Sequence, residues 1–74
     1  MKSMTTVSEY APALAFQARV RFINKDHQQS GQFGVVVRAL ENPSKKARNQ
    51  WYDVRFDDGT YGRFLEGDLR RAKG

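Results

Sequence analysis

Hydrophobic and polar residues alternate most regularly between Tyr52 and Phe56. Tyr52, Val54 and Phe56 fall on one side of a two-residue repeat, and Asp53 and Arg55 fall on the other. Successive side chains of a β-strand point to opposite faces of a sheet, so this pattern predicts a strand with one apolar face and one solvent-facing face.

The residues that follow, Asp57-Asp58-Gly59, predict a reversal of the chain. Aspartate hydrogen-bonds its own backbone in turns, and glycine adopts positive φ without a steric penalty. Residues 60–65 then predict a returning strand, in which either Tyr61, Arg63 and Leu65 or Gly62 and Phe64 face the core. We favour Phe64 and expect a bulge or strong bend at Gly62. The stretch 51–65 is therefore predicted to be a β-hairpin.

Three further strands are predicted on either side of this hairpin. The segment 33–40 is rich in β-branched residues, and its three consecutive valines indicate that both faces are partly covered, as in a closed barrel or at a subunit interface. Gly34 is the expected point of bending in this segment. A single turn of 3₁₀ helix is expected at 66–68, after which Leu69 should enter the core. The predicted strands outside the hairpin are 18–23, 33–40 and 69–72.

These elements together predict an all-β chain, an SH3-like five-stranded small barrel formed by residues 17–74. Residues 1–16 form the predicted flexible N-terminal arm, in which Pro12 would interrupt a helix. Docking of Leu14 and Phe16 onto the barrel or onto a second subunit is an alternative to a disordered tail.

Composition excludes several classes of function. The 74 residues contain no cysteine, which rules out disulfides and thiolate metal sites. No apolar run approaches the roughly 20 residues of a membrane-spanning helix, and the N-terminus lacks the apolar core of a secretory signal. We therefore expect a cytoplasmic protein that does not interact with membranes.

Catalytic and cofactor chemistry find little support in the sequence. His27 is the single histidine, and a zinc site needs three or four ligands. Asp57 and Asp58 precede a glycine, as in ordinary turns. No spacing indicates an activated nucleophile. We expect no enzyme, no metal and no cofactor.

The formal net charge of +5 is unevenly distributed. Most of the chain carries more lysine and arginine than acid, whereas the hairpin between 52 and 66 carries four acids and two arginines. A basic small domain indicates a polyanionic partner such as nucleic acid, although the charge alone also favours solubility.

The candidate contact residues are cations and aromatic side chains. Arg19 and Arg21 share the exposed face of the first strand, where they could contact phosphates or pair with acids on a neighbouring strand. Trp51 is out of phase with the apolar side of its strand, so it should lie on the wetter face, where it could stack on a base or pack against the arm or a second subunit. The predicted nucleic-acid or partner contacts are Arg19, Arg21, Lys45, Lys46, Arg48, Trp51, Tyr61, Arg70 and Arg71.

The order of strands and loops resembles SH3-like barrels of the KOW and Tudor-like type. The resemblance lies in Val20-Arg21-Phe22, Gly31-Gln32-Phe33-Gly34-Val35-Val36, the stretch 52–59 and Asp68-Leu69, and it spans about residues 18–72. Such families bind nucleic acid, RNA polymerase, methylated side chains or ribosomal partners. The resemblance implies a small binding module, nucleic-acid-binding or an accessory of the transcription or translation apparatus.

The chain is also similar in shape to type II dihydrofolate reductase, a small SH3-like barrel that is active only as a tetramer. The pore strand of that family has no counterpart in Thr60-Tyr61-Gly62-Arg63-Phe64, so no catalytic residue is carried over. The similarity implies two alternatives: a self-assembling protein-interaction barrel without a nucleic-acid role and, more remotely, an oligomer-dependent enzyme that binds a small molecule.

Overall fold

The computed structural model describes residues 10–72, which form five antiparallel strands and two short 3₁₀ turns. The 3₁₀ turns are Ala47–Asn49 and Glu66–Asp68. In this part of the chain no helix has the length and apolar character needed to cross a membrane. The strands are β1 Arg19–Phe22, β2 Phe33–Ala39, β3 Trp51–Phe56, β4 Tyr61–Leu65 and β5 Leu69–Arg71.

The strands form one sheet in the order β4-β3-β2-β1-β5. Neighbours in sequence are neighbours in the sheet, except that β5 returns to pair with β1. The predicted all-β class is therefore confirmed.

The predicted hairpin is also confirmed. The amide of Gly59 donates to the carbonyl of Phe56 at 2.9 Å, and the amide of Phe56 donates to the carbonyl of Thr60 at 2.7 Å. Gly59 has φ of 90°, the left-handed region in which a side chain would be strained. The aspartate and glycine residues thus reverse the chain as expected.

The bend in β2 lies three residues beyond the predicted glycine. The register between β2 and β3 shifts between Val36 and Arg38, so the irregularity falls at Val37. Gly34 instead permits a close approach of two backbones, since a Cβ there would lie 2.5 Å from the carbonyl oxygen of Arg55.

Gly62 likewise does not mark a bulge, because β3 and β4 pair in continuous register past it. A Cβ at this position would lie 2.4 Å from the ring of Phe64. The glycine therefore makes room for a core side chain.

The core lies on the concave side of a strongly curled sheet. In a flat sheet, β1 and β4 would be separated by three strand spacings, roughly 14 Å. The rings of Phe22 on β1 and Phe64 on β4 nevertheless have centroids 4.2 Å apart. Phe64 and Leu69 are buried, as predicted. The core comprises Leu14, Val20, Phe22, Val36, Tyr52, Val54, Phe56, Phe64 and Leu69.

The curled sheet does not close into the predicted barrel. Within residues 10–72 the edge strands β4 and β5 share no backbone pairing. The 3₁₀ turn Glu66–Asp68 directs the chain away from β4, and Leu69 then pairs with Phe22 on β1. Side chains rather than backbone hydrogen bonds span the gap.

Residues 10–16 lie against the sheet, whereas residues 1–9 of the predicted arm fall outside the described residues. Leu14 is buried, and its amide donates to the hydroxyl of Tyr52 at 3.2 Å. That hydroxyl donates to Glu66 at 2.6 Å. Phe16 is exposed. Leu14 thus belongs to the core, although the residue lies before the predicted start of the barrel.

Candidate functional site

The convex face of the sheet carries most of the predicted contact residues. Cross-strand pairing defines two neighbouring rows of outward-pointing side chains on this face. The first row crosses β5, β1 and β2 and consists of Arg70, Arg21 and Phe33. The second crosses β1 to β4 and consists of Arg19, Val35, Arg55 and Tyr61.

Arg21 and Arg70 face each other directly across β1 and β5. Both are exposed, and no carboxylate among residues 10–72 forms an ion pair with either. The Nε of Arg21 donates to the carbonyl of Gly31 at 3.4 Å. Like charges directly opposite one another destabilise a sheet, so this pair is costly to the folded protein.

A basic cleft opens beside this pair, between β1, β5 and the loop that follows β1. Its volume is about 370 Å³. Three of its side chains are cationic, and none of the lining residues is acidic. Its lining consists of Arg21, Phe22, Ile23, Lys25, Ser30, Gly31 and Arg70.

Phe33 orients two of the arginines on this face. The guanidinium carbons of Arg19 and Arg21 lie 5.4 and 5.6 Å from the centroid of its ring. Such cation–π contacts restrict long side chains that would otherwise sample many rotamers. The ring thus holds the two guanidinium groups on the convex face.

Arg19 differs from Arg21 because an acid from the hairpin turn pairs with it. Its two terminal nitrogens donate to the two carboxylate oxygens of Asp57 at 2.6 and 2.7 Å. This hydrogen bonding holds the pKa of Asp57 below its usual range and raises the pKa of Arg19. Of the two alternatives for β1, pairing with an acid therefore describes Arg19, whereas Arg21 is an exposed cation that no acid within residues 10–72 neutralises.

A second acid, Asp53, pairs with two arginines at the β2, β3 and β4 end of the convex face. Asp53 on β3 accepts from the Nε of Arg63 at 2.8 Å and from the Nε of Arg38 at 3.0 Å. The hydrogen bond from Arg63 is the main cause of the lowered pKa of Asp53, and the Arg38 bond adds to it. These two arginines therefore have a structural partner.

The loop 41–50 is built around a buried amide. The Nε2 of Gln50 donates to the carbonyls of Leu40 and Trp51, both at 2.9 Å, and its Oε1 accepts from the hydroxyl of Tyr10, also at 2.9 Å. The amide of Asn42 donates to the same oxygen at 3.3 Å. This network fixes both ends of the loop.

The structure does not bring the cations of this loop to the basic cleft. The turn Ala47–Asn49 packs against the turn Glu66–Asp68, and Arg48 lines a different groove with Leu14 and Leu69. Lys45 and Lys46 are exposed on the same loop. They form a separate basic area.

The remaining predicted residues are distributed over the sheet. Trp51 is 42% exposed and lies opposite Leu65, so its predicted position on the wetter face is confirmed. Tyr61 is 66% exposed and lies opposite Arg55. Arg71 donates to the carbonyl of Ala13 at 2.8 Å, which anchors the N-terminal segment.

The two rows of the convex face and the basic cleft include residues that are absent from the predicted contact set. Phe33 and Arg55 could have been found by extending the two-residue repeat from Arg21 to the neighbouring strands. Lys25, Ser30 and Gly31 belong to an irregular loop, where no repeat indicates orientation. In the same loop, the ring of His27 lies against Phe22 and Phe64 at centroid distances of 5.0 and 5.8 Å.

The chain matches no protein-family model, no curated protein and no solved structure. Its function must therefore be inferred from the geometry of the residues themselves.

Proposed function

We propose that this protein is a small binding module that binds the phosphate backbone of nucleic acid through the convex face of its sheet. The observation that carries the proposal is the pair Arg21 and Arg70, which face each other in a cleft with Lys25 and form no ion pair within residues 10–72. The proposed role is that of a cytoplasmic accessory to transcription or translation, without catalysis.

The paired arginines are costly to the free protein and well placed for a ligand. Opposed like charges lower stability in the absence of a partner, whereas an anion placed between them would turn repulsion into attraction. Guanidinium groups form paired hydrogen bonds with phosphate oxygens, and charge-assisted bonds of this type are stronger than neutral ones. A phosphate is thus a well-matched ligand for the cleft.

The extent of the basic surface favours a polymer over an isolated anion. Arg55 in the second row is also exposed and forms no ion pair within residues 10–72. Arg21, Arg55 and Arg70 therefore provide contacts on three different strands. Regularly spaced phosphates could occupy several of them together.

The test is a titration of fluorescein-labelled oligonucleotides, followed by fluorescence anisotropy at several salt concentrations. The logarithm of the binding constant should fall linearly with the logarithm of salt concentration, by about 0.7 to 0.9 per phosphate contacted. Substitution of Arg21→Gln together with Arg70→Gln should reduce that slope by about 1 for each phosphate that the variant no longer binds.

The matched control is the double substitution Arg38→Gln and Arg63→Gln. Both double variants remove two positive charges, but the control removes arginines that already have Asp53 as a partner. The control should retain most of the salt slope. Equal reductions of the slope in the two variants, or no binding by the unmodified protein at low salt, would contradict the proposal.

A second candidate function, self-assembly without a nucleic-acid role, is favoured by a different observation. Each edge strand pairs on one side only within residues 10–72, and exposed aromatic residues include Phe16, Trp51 and Tyr61. Unpaired strand edges are templates for pairing with a second chain. Sedimentation velocity over a range of concentrations tests this alternative, and a monomer throughout would exclude it.

A further inference from the structure

Tyr61 presents to solvent an aromatic ring that stacks on no other aromatic side chain within residues 10–72. It is 66% exposed at the start of β4, and within residues 10–72 its hydroxyl makes no hydrogen bond. Phe33, by contrast, is occupied by two guanidinium groups. The Tyr61 ring is therefore available to a flat ligand.

A shallow groove of about 480 Å³ lies beside this ring. Its lining includes Val37, Gly62 and the ion pair of Asp53 with Arg63. Gly62 lines the groove with its backbone, because the position that a Cβ would occupy faces the core ring of Phe64. An apolar surface with a few fixed polar groups at its border is the usual character of a small-ligand site.

Charge indicates which flat ligand suits this groove. Arg55 lies directly opposite Tyr61 across β3 and β4, so a cation stands beside the ring. The row that contains both residues runs next to the row of Arg21 and Arg70. A nucleotide provides both parts of a matching ligand, an aromatic base for the ring and a phosphate for the arginine.

We infer that Tyr61 and its groove bind an unpaired base, so that the protein prefers single-stranded over double-stranded nucleic acid. This inference rests on the proposed function and specifies its substrate class. Bases inside a duplex are stacked on one another and cannot stack on a protein ring, whereas every base of a single strand has a free face. The phosphate contacts supply affinity for both forms, and Tyr61 supplies the difference between them.

The experiment compares three labelled probes: a single strand, the same strand with abasic positions, and a duplex. The abasic strand retains its phosphates and lacks bases for stacking. Substitution of Tyr61→Ala should weaken binding of the single strand by about 5- to 150-fold, as expected when one base no longer stacks on the protein. Tyr61→Phe retains the ring and should bind like the unmodified protein.

The abasic strand and the duplex should bind Tyr61→Ala and the unmodified protein equally well, and the salt slope should be unchanged because no charge is removed. The unmodified protein should itself prefer the single strand to its abasic form, a comparison that does not depend on how any variant folds. Equal affinity for these two strands, with binding still sensitive to Arg21 and Arg70, would overturn this inference and leave the proposed function standing. If no probe binds at low salt, the proposed function fails as well.

Discussion

Two groups of arginines on the same sheet have opposite surroundings. Arg38 and Arg63 share the carboxylate of Asp53, whereas Arg21 and Arg70 face each other with no acid among residues 10–72 to separate them. All four arginines are exposed. Arg21 and Arg70 lie on adjacent strands, whereas Arg38 and Arg63 lie on the two strands that flank β3. The difference lies in the residue placed between them: Asp53 pairs with one group, whereas no acid within residues 10–72 pairs with the other.

Two acids on the convex side of the sheet are already paired with arginines. Asp57 pairs with Arg19, and Asp53 with Arg38 and Arg63. On the core side, Glu66 accepts a hydrogen bond from the buried hydroxyl of Tyr52. The cations of the cleft are therefore not neutralised by an ion pair within residues 10–72, although Arg19 beside them is paired with Asp57.

The largest expected effect on oligonucleotide binding comes from placing an acid opposite Arg21, which has no ion-pair partner within residues 10–72. Arg70→Glu puts a carboxylate directly opposite Arg21, so the folded protein should gain about 0.2–1 kcal/mol from a favourable cross-strand pair. Oligonucleotide affinity should fall on the order of 100-fold, because a charge-assisted phosphate contact is replaced by repulsion. Urea denaturation and anisotropy measure the two effects.

The useful control for this variant is Arg71→Glu on the same strand, since Arg71 donates to the Ala13 carbonyl rather than lining the cleft. It should lose stability where Arg70→Glu gains it. A decrease of both stability and binding in Arg70→Glu would show that the opposed arginines are not a cost to the fold.

The next effect concerns the buried tyrosine hydroxyl. Tyr52→Phe removes the group that links the amide of Leu14 to Glu66, which should destabilise the protein by about 1–3 kcal/mol. Burial, followed by the hydrogen bond to Glu66, raises the pKa of Tyr52 from 10.0 to about 12. Since the folded pKa is the higher one, the unmodified protein keeps this stability below pH 10 and loses it as the pH rises toward 12.

Urea denaturation at neutral pH and across that alkaline range checks this prediction. The stability difference between the unmodified protein and Tyr52→Phe should shrink as the pH rises, which corrects for the lysines and other tyrosines common to both. A constant difference would indicate that the hydroxyl is not held as the structure shows.

A smaller effect should follow from removing the acid of the neutralised group. Asp53→Asn leaves Arg38 and Arg63 without their carboxylate, so this region should come to resemble the cleft and oligonucleotide affinity should rise roughly 2- to 10-fold at low salt. Asp58→Asn removes the same charge from a turn where the carboxylate binds Thr60, and serves as the control. Similar gains in both variants would mean that only net charge matters.

The sequence predicts this architecture well because the repeat of two residues follows directly from strand geometry. Tyr52, Val54, Phe56, Phe64 and Leu69 are buried as expected, and the Asp57–Gly59 turn lies at its predicted position. The glycines are more ambiguous. A side chain at Gly34 would clash with a neighbouring backbone, and a side chain at Gly62 would clash with the ring of Phe64. Both clashes depend on how the sheet folds, so the local sequence does not show them.

The candidate site is predictable only in part. The two-residue repeat predicts which side chains are exposed, but their ion-pair partners come from distant parts of the chain. Arg19 and Arg21 are equivalent in the sequence, yet only Arg19 meets Asp57, 38 residues further along the chain. From charge alone, the cations of the loop 41–50 would be expected at the same site as the other basic residues. Its separation from the cleft reflects the Gln50 network, whose buried amide no hydrophobic repeat would indicate.

The smallest expected effect tests whether Arg19 contributes to binding once its partner Asp57 is removed. Its pair with Asp57 is exposed, so the contribution to stability should be slight. Because Arg19 lowers the pKa of Asp57, that contribution is present above the ordinary carboxyl pKa of 3.8 and is lost as the pH falls through the lower folded value. The stability of Asp57→Asn should therefore differ from that of the unmodified protein at neutral pH and converge with it in acid.

Asp57→Asn should also release a guanidinium that Phe33 already holds next to Arg21, and so strengthen oligonucleotide binding slightly more than Asp58→Asn does. Identical binding by these two variants, measured by anisotropy at low salt, would show that Arg19 contributes only to the fold.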